Sequence, residues 1–285
     1  MVEFSTSFCT IRMPRSLVLG AVTVAGAAGA AVAYLLRRRS RTVLSSRQAI
    51  KLTYLDAKSS GEPIRLALFI SGVPFEDRRV TYASIARLRD EGYLPFGQVP
   101  ALEVDGQVYA QSQAILRWVG WHTGLYPADL QLQMDMIDEA IFDVKYVLRP
   151  AWYGAALGRH PGTGEPLLPL DAAQRAATIE ALNDVVLPKR LAQLEGMLVR
   201  ASDGPYVCGA RMTIADLNLY VFASGVLDGS GVPPGISTEL LRGCPRIRAL
   251  VEHIEAHPKV AEWNRRPTTP PIFEDGEQRK TVSAF

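Results

Sequence analysis

The sequence is poor in cysteine and histidine, which excludes several classes of protein. It has three cysteines in 285 residues and no C-x-x-C pair, so a disulfide framework and a cysteine zinc cluster are both excluded. His253 and His257 lie four residues apart, which is a metal-compatible spacing, but no third ligand accompanies them. We therefore expect no metal site.

The sequence also lacks an overall excess of charge. The formal net charge is +2, yet the first 49 residues hold seven arginines and a single acid, Glu3. The rest of the chain is therefore mildly acidic, which is the opposite of the basic surface that nucleic acid requires. We expect no nucleic-acid partner, and we assign the positive charge to an N-terminal extension, residues 1–49.

One long uncharged run lies inside this extension. Residues 16–36 contain no charged side chain over 21 positions, about the length that crosses a bilayer core. Arginines at 37–39 and 41 follow at once, so the positive-inside rule leaves everything after them in the cytosol. We expect a membrane anchor with a cytosol-facing body, on an internal membrane or the mitochondrial outer membrane. A cleaved secretory signal and a mitochondrial presequence remain as alternatives.

After residue 50 the chain alternates between strand and helix and then becomes helical. The first part has strands predicted at 51–55 and 75–80, helices at 62–71, 83–91 and 112–123, and a hairpin around Asp105-Gly106 that joins strands 102–104 and 108–110. The later helices are predicted at 130–157, 171–200, 214–226, 238–255 and 258–265. An α/β unit at 50–126, an all-helical unit at 127–267 and an irregular tail at 268–285 follow from this pattern.

Four segments resemble one family. They are LTYLDAKSSGEPIRLAL at 52–68, LPFGQVPALEVDGQVYAQSQAILRW at 94–118, DMIDEAIFD at 135–143 and MTIADLNLY at 212–220. In this order and spacing the chain resembles the cytosolic-type glutathione S-transferases, with a lean toward the sigma, alpha and mu classes. The resemblance implies a thioredoxin-like N-terminal domain and an all-α C-terminal domain, here preceded by a hydrophobic helix. It also implies transfer of the glutathione thiolate to hydrophobic electrophiles, or glutathione-dependent isomerisation or peroxide reduction.

Tyr54 is the candidate catalytic residue, because the resemblance places the family's tyrosine at the end of the first strand. A free thiol ionises near pH 8.5, and a phenol that donates to the sulfur favours the thiolate. Ser59 is a rival, since serine classes use a hydroxyl a few residues later. Lys58 to Gly61 departs from the R-G-R-A pattern of tyrosine classes, and Ser60 stands where an arginine is frequent. A half-buried strand tyrosine without a catalytic role is the third interpretation.

Further positions are implied to hold glutathione. Val99-Pro100 matches the family's cis-proline, which would present the Val99 backbone to the glutathione backbone as an added strand does. Gln111 and Ser112 begin a helix, where free N–H groups and a hydroxyl suit the γ-glutamyl carboxylate. Ser112 alone is as readily explained as an N-cap.

The remaining expectations concern the glycyl carboxylate, the partner subunit and the electrophile. Arg89 or Arg87 would replace the Trp and Lys that family members place near the glycyl end. Asp143 matches the aspartate that reaches the other subunit's glutathione, which implies a homodimer. Phe96 resembles an aromatic that plugs into the partner, although a core phenylalanine is equally plausible. The electrophile pocket is expected to use Leu55 and the inner face of the helix turns at 143–152.

A different class of function also fits the sequence. The altered segment 58–61 is compatible with a membrane-tethered protein that kept the fold, binds glutathione or another ligand, and lost turnover. A channel is a weaker interpretation, because no cysteine stands at the glutathione site.

Overall fold

The computed structural model describes residues 2–6, 9–13, 48–156, 170–201 and 203–266. An antiparallel hairpin of β1 (Val2–Thr6) and β2 (Cys9–Met13) belongs to a separate unit, Met1–Val43, and is described by itself. Sequence analysis did not predict these strands, because the segment was interpreted only as part of a targeting extension. The alternation of apolar and polar residues from Val2 to Thr6 is typical of a strand.

The predicted anchor at 16–36 lies outside the described residues. Among the helices that are described, none combines the length and the apolar character needed to cross a bilayer.

A four-stranded mixed sheet forms the first part of the body, in the order β4-β3-β5-β6. Its strands are β3 (Ile50–Leu55), β4 (Glu76–Val80), β5 (Ala101–Val104) and β6 (Gln107–Ala110). β3 pairs in parallel with β4 and antiparallel with β5, and the tight turn predicted at Asp105-Gly106 joins β5 to β6. Together with its three helices, the sheet has the thioredoxin-like arrangement that the sequence predicted.

The described α-helices begin and end close to the predicted positions. They are α1 (Glu62–Ile70), α2 (Tyr82–Asp90), α3 (Ser112–Thr123), α4 (Gln131–Ala156), α5 (Ala172–Ala181), α6 (Leu187–Ala201), α7 (Ile214–Leu227), α8 (Pro245–Glu255) and α9 (Pro258–Asn264). From α4 onward no strand is described, as expected for an all-helical part.

Two predicted helices were too regular. The helix expected at 171–200 is α5 and α6 joined by a π-helical turn, Leu182–Val186, although Asp171 does cap its start as predicted. The helix expected at 238–255 is a 3-10 turn, Thr238–Leu241, followed by α8. Pro245 explains the break, because proline fits the first turn of a helix but disrupts its interior.

Helix α7 is the centre of the helical part. It packs against α1, α4 and α8, and also against a 3-10 turn formed by Ser59–Gly61. Its residues are buried on almost every side and most of them are apolar, although Asp216 and Asn218 are buried with them. Because α7 contacts both α1 and α4, it joins the sheet domain to the helical domain through one continuous core.

The start of α7 has the capping box that its sequence predicts. Thr213 caps the helix, and its N–H and hydroxyl both donate to Asp216 Oδ2 at 2.7 Å. Asp216 Oδ1 also accepts the Val207 N–H at 2.6 Å, so one buried carboxylate holds both the helix start and the preceding loop.

Removal of the Thr213 hydroxyl tests this cap. Thr213→Ala is expected to lower the free energy of unfolding by about 1 kcal/mol, because one buried hydrogen bond at the helix start is lost. Thr238→Ala, at an exposed threonine, is the control and is expected to change it by less than about 0.5 kcal/mol. Urea unfolding of both variants measures the difference, and equal effects would contradict a specific role for the cap.

Candidate active site

The strand register brings the predicted glutathione-binding residues to one edge of the sheet. Thr53 on β3 lies opposite Ala101 on β5, and Ala101 lies opposite Ala110 on β6. Tyr54 is the next residue of β3, Pro100 immediately precedes β5, and Gln111 immediately follows β6. Residues that are far apart in sequence therefore become neighbours where these three strands meet.

Tyr54 is held from two sides at this edge. Its side chain is buried, and its hydroxyl oxygen accepts the backbone N–H of Ser60 at 3.1 Å. This bond occupies a lone pair, so the phenol proton remains available to donate. Gly61 lies against the ring so closely that a Cβ atom there would overlap Tyr54. On another side the Arg65 guanidinium carbon lies 5.6 Å from the ring centroid.

Segment 58–61, which departs from the family pattern, therefore has a definite role in the structure. The family's frequent arginine is replaced by Ser60, but the backbone of Ser60 supplies the donor to Tyr54. Ser59 is exposed and begins the 3-10 turn, and the contacts of the described residues give its hydroxyl no link to Tyr54. Of these two residues, Tyr54 is the buried one, and its hydroxyl accepts a backbone N–H.

Arg65 fixes the backbone that follows Tyr54. Its side chain is 0% exposed, and it donates to the carbonyls of Leu55 at 3.0 Å and Ala57 at 2.9 Å. It also forms ion pairs with Asp77 at 2.8 Å and Glu62 at 3.1 Å. A buried charge of this kind is tolerated only when it is paired and hydrogen-bonded, and here four acceptors surround it.

This arginine is the middle of a longer network. Asp77 also accepts from Arg79 at 2.9 Å, and Arg79 reaches Asp56 at 2.6 Å. In the other direction, Glu62 accepts the indole N–H of Trp263 at 2.7 Å. The two arginines of this network contact Leu55, Asp56 and Ala57 in the loop between β3 and α1, so the network supports the residues that follow Tyr54.

The segment before β5 is anchored by Arg89. The Val99-Pro100 bond is cis, as the resemblance implied. Arg89 on α2 donates to the Gly97 carbonyl at 3.0 Å, and it has further interactions of its own. The predicted ligand of the glycyl carboxylate therefore lies beside the cis-proline segment and helps to shape it. Arg87, the alternative, pairs with Glu91 at 3.7 Å.

The start of α3 differs from expectation in one respect. Gln111, not Ser112, is the N-cap, and Ser112 is the first helical residue. Gln111 is exposed and has φ 74°, which is a costly backbone conformation for a residue other than glycine. Such strained residues cluster at ligand sites. The interpretation of Ser112 as a simple N-cap was wrong, and its N–H group lies in the first turn, where anions bind.

Leu55, Asp143 and Phe96 have distinct surroundings. Leu55 is half-buried and packs against a small core cluster that includes Val80 and Ala101. The side chain of Asp143 on α4 is 61% exposed, and its carboxylate lies 3.5 Å from the Arg190 guanidinium. Phe96 is 62% exposed, so the interpretation as a core phenylalanine was wrong. Both Asp143 and Phe96 are thus accessible from outside the chain.

A buried polar cluster lies between α4 and α7. Asp138 is fully buried, and its Oδ1 accepts from the Asn218 amide at 2.9 Å. The Oδ2 atom has no hydrogen-bond partner among the described residues. Lys145 donates to Asn218 Oδ1 at 3.1 Å. Burial raises the pKa of Asp138 to about 6 and lowers the pKa of Lys145 to about 8.

Asp138 makes stability depend on pH in a definite direction. Its folded-state pKa lies above the unfolded value of about 3.9, so the folded chain binds the additional proton between about pH 4 and pH 6. The stabilisation from that proton is present at low pH and is lost as the pH rises through this window. Lys145 titrates at higher pH and does not contribute there.

Asp138→Asn is expected to remove this dependence. The amide oxygen still accepts from Asn218, but the group cannot ionise. The stability of the variant relative to the wild type should therefore increase by about 2 kcal/mol between about pH 4 and pH 7. Urea unfolding at several pH values measures the difference. A difference that stays constant with pH would show that Asp138 does not titrate in this window.

The described residues contain no group of three or more His, Cys, Asp or Glu side chains that could hold a metal ion. Burial raises the pKa of the Cys208 thiol to about 11, and Cys244 is buried. Neither thiol suits a nucleophile at neutral pH.

Comparison with known proteins identifies the class. Residues 61–120 match the family profile "Glutathione S-transferase, N-terminal domain", and residues 166–267 match "Glutathione S-transferase, C-terminal domain". "Glutathione S-transferase 1" of Ascaris suum is 33% identical over 227 residues, which span 77% of this chain and 98% of that protein. The chain therefore belongs to the glutathione S-transferase family, and it is a transferase that uses glutathione as co-substrate.

Two further relatives extend the comparison. The hematopoietic prostaglandin D synthase of Gallus gallus is 27% identical, covering 77% of this chain and 97% of that protein. The crystal structure of the glutathione S-transferase of Ascaris lumbricoides has a TM-score of 0.62 at 31% identity, covering 78% of this chain and 99% of that chain. The sheet and helical domains described above are thus those of the family fold.

Sequence reasoning missed the network beneath the site. Arg65 lies in the helix EPIRLALFI, where Glu62 is the only other charged residue, and a cation on a buried helix was a usable signal that its partners lie nearby. No comparable signal linked Glu62 to Trp263, because the two are 201 positions apart.

Proposed function

We propose that the chain binds glutathione at the sheet edge and that Tyr54 activates the thiol. The observation that carries the proposal is the Ser60 N–H that donates to the Tyr54 oxygen, because it fixes the phenol while leaving its proton to donate. In this assignment Val99 pairs with the peptide backbone of glutathione, Gln111 and Ser112 hold the γ-glutamyl carboxylate, and Arg89 faces the glycyl end.

The chemistry follows from a stabilised thiolate. The thiol of glutathione loses its proton to solvent, and the phenol donates a hydrogen bond to the sulfur that lowers the thiol pKa. The sulfur then forms a bond to an electrophilic carbon. In a substitution the leaving group departs with the electron pair, and in an addition the adjacent carbon takes up a proton. Leu55 would border the electrophile on the apolar side.

The proposal extends to domain roles and to a dimer. Residues 50–126 would bind glutathione, residues 127–267 would complete the electrophile pocket, and 268–285 would be an irregular tail. The exposed Asp143 supports a homodimer in which it meets the γ-glutamyl ammonium bound to the partner subunit. The exposed Phe96 supports an apolar contact between the subunits.

A lipid-derived electrophile is our candidate for the substrate class. One relative is named a prostaglandin D synthase, which supports a glutathione-assisted isomerisation as a further reaction. The uncharged run at 16–36 with its flanking arginines supports a membrane anchor that leaves the body in the cytosol. Carbonate extraction tests the anchor: full-length protein should stay with the membrane pellet, and its release would refute anchoring.

The experiment that tests the function uses the full chain in detergent. Turnover of glutathione with a generic aromatic electrophile is expected, together with retention on glutathione-agarose. Retention without turnover in a folded dimer would replace the proposal with the tethered, non-catalytic binding protein. Failure of both would leave a scaffold of the same fold.

A further inference from the structure

Trp263 lies on the last helix that the structure describes and contacts residues of the sheet domain. It lies on α9 and is half-buried, with its ring centroid 5.1 Å from Phe69 and 6.3 Å from Phe75. Its indole N–H points away from this aromatic group to Glu62 Oε1, at 2.7 Å. The ring thus supplies packing and the N–H supplies a separate, directed contact with the first residue of α1.

Glu62 links Trp263 to Arg65. One carboxylate oxygen accepts from Trp263 and the other accepts from Arg65 at 3.1 Å. The side chain of Glu62 is only 7% exposed, so water cannot readily replace either donor. The orientation of the carboxylate therefore depends on both neighbours.

Arg65 links Glu62 to the loop that follows Tyr54. The nitrogen that meets Glu62 also donates to the Ala57 carbonyl, and the other terminal nitrogen donates to the Leu55 carbonyl. These two carbonyls fix the chain between Tyr54 and the 3-10 turn whose N–H group meets the Tyr54 oxygen. A rotation of the planar guanidinium would shift both carbonyls together.

We infer that Trp263 is a positioning residue for thiol activation. Through Glu62 and Arg65 it sets the place of the Tyr54 hydroxyl, so a residue of α9 tunes a reaction that occurs in the sheet domain. The inference rests on the proposed function of Tyr54. It concerns the N–H of the indole and not the bulk of the ring.

Trp263→Phe isolates the N–H, because the smaller ring still packs against Phe69 and Phe75. The control is Trp118→Phe on α3, the same change at another half-buried tryptophan of the core. For Trp263→Phe, kcat with a generic aromatic electrophile is expected to fall about tenfold, while KM for glutathione stays within about twofold. The pH midpoint of kcat/KM should move upward, since a displaced phenol stabilises the thiolate less. Equal kinetics of the two variants would overturn the inference.

Glu62→Gln tests whether Trp263 acts through Glu62 and Arg65. A glutamine can satisfy only one of the two donors that meet Glu62, so its loss of kcat should be at least as large. The double variant Trp263→Phe/Glu62→Gln should be no worse than Glu62→Gln alone, because both changes act on one path. Fully additive losses would show that Trp263 does not act through Glu62.

Hydrogen exchange gives a readout that does not need turnover. Peptides that contain the Ser60 amide should exchange faster in Trp263→Phe than in the wild type, and should be unchanged in Trp118→Phe. An inactive wild type would refute the proposed function, whereas unchanged exchange at Ser60 in Trp263→Phe would refute the positioning role. The two failures are therefore distinguishable.

Discussion

Replacement of Tyr54 by phenylalanine is expected to lower kcat for glutathione conjugation about a hundredfold. In the proposed mechanism the phenol proton is the donor that stabilises the thiolate, and phenylalanine keeps the ring between Gly61 and Arg65 while removing that donor. The thiol pKa should rise toward its free value of about 8.5, so the variant should regain activity as the pH increases. Steady-state conjugation rates across pH measure both effects.

The matched control for this prediction is Ser59→Ala. Ser59 is exposed, so its loss is expected to change kcat by less than about twofold. If Ser59→Ala abolishes turnover while Tyr54→Phe does not, the serine-type chemistry holds and the assignment of Tyr54 is wrong. Near-UV circular dichroism of both variants establishes that each one is folded.

Arg65→Met is expected to lower the free energy of unfolding by about 3–5 kcal/mol. The methionine keeps a similar length, but it leaves the buried Glu62 carboxylate without a cation and Asp77 with Arg79 alone. The carbonyls of Leu55 and Ala57 lose their donors at the same time. Urea unfolding at neutral pH measures the change, with turnover of the folded fraction as a second observable.

Arg117→Met provides the contrast. Arg117 also meets two carboxylates, Asp135 and Glu139, each at 2.8 Å, but its side chain is 30% exposed. Water can solvate those carboxylates once the cation is gone, so a loss of less than about 1 kcal/mol is expected. Equal losses in the two variants would mean that burial does not decide the strength of these ion pairs.

The local elements of the fold could be predicted from the sequence, and the reasons are physical. Asp105-Gly106 is a strong turn signal, and α3 begins and ends where its pattern places it. The irregular elements were harder to predict from the sequence. The π-helical turn at Leu182–Val186 contains no proline or glycine, but Pro188 lies two residues after it and was placed inside one long helix. Pro245 was likewise placed inside a helix that it actually begins.

The candidate site also has some features that the sequence predicts and others that it does not. The cis-proline and the start of α3 were predicted correctly because short motifs carry them, whereas the catalytic role of Tyr54 stays a prediction. Ser60 was noticed only for the side chain it lacks, whereas its contribution is a backbone N–H, which every residue except proline possesses. Trp263 could not be found, since its contact is created by tertiary folding alone.

The strand register at the sheet edge determines where the chain can tolerate insertions. Tyr54, Pro100 and Gln111 are brought together by two strand pairings, and the loops between these strands do not set their relative positions. Insertions in the exposed turn at Ser71-Gly72, between α1 and β4, should therefore be tolerated, because longer loops cost little entropy. A single residue inserted within β5 would instead reverse which face each following side chain occupies. Length variants of this enzyme should be viable in the first region and inactive in the second.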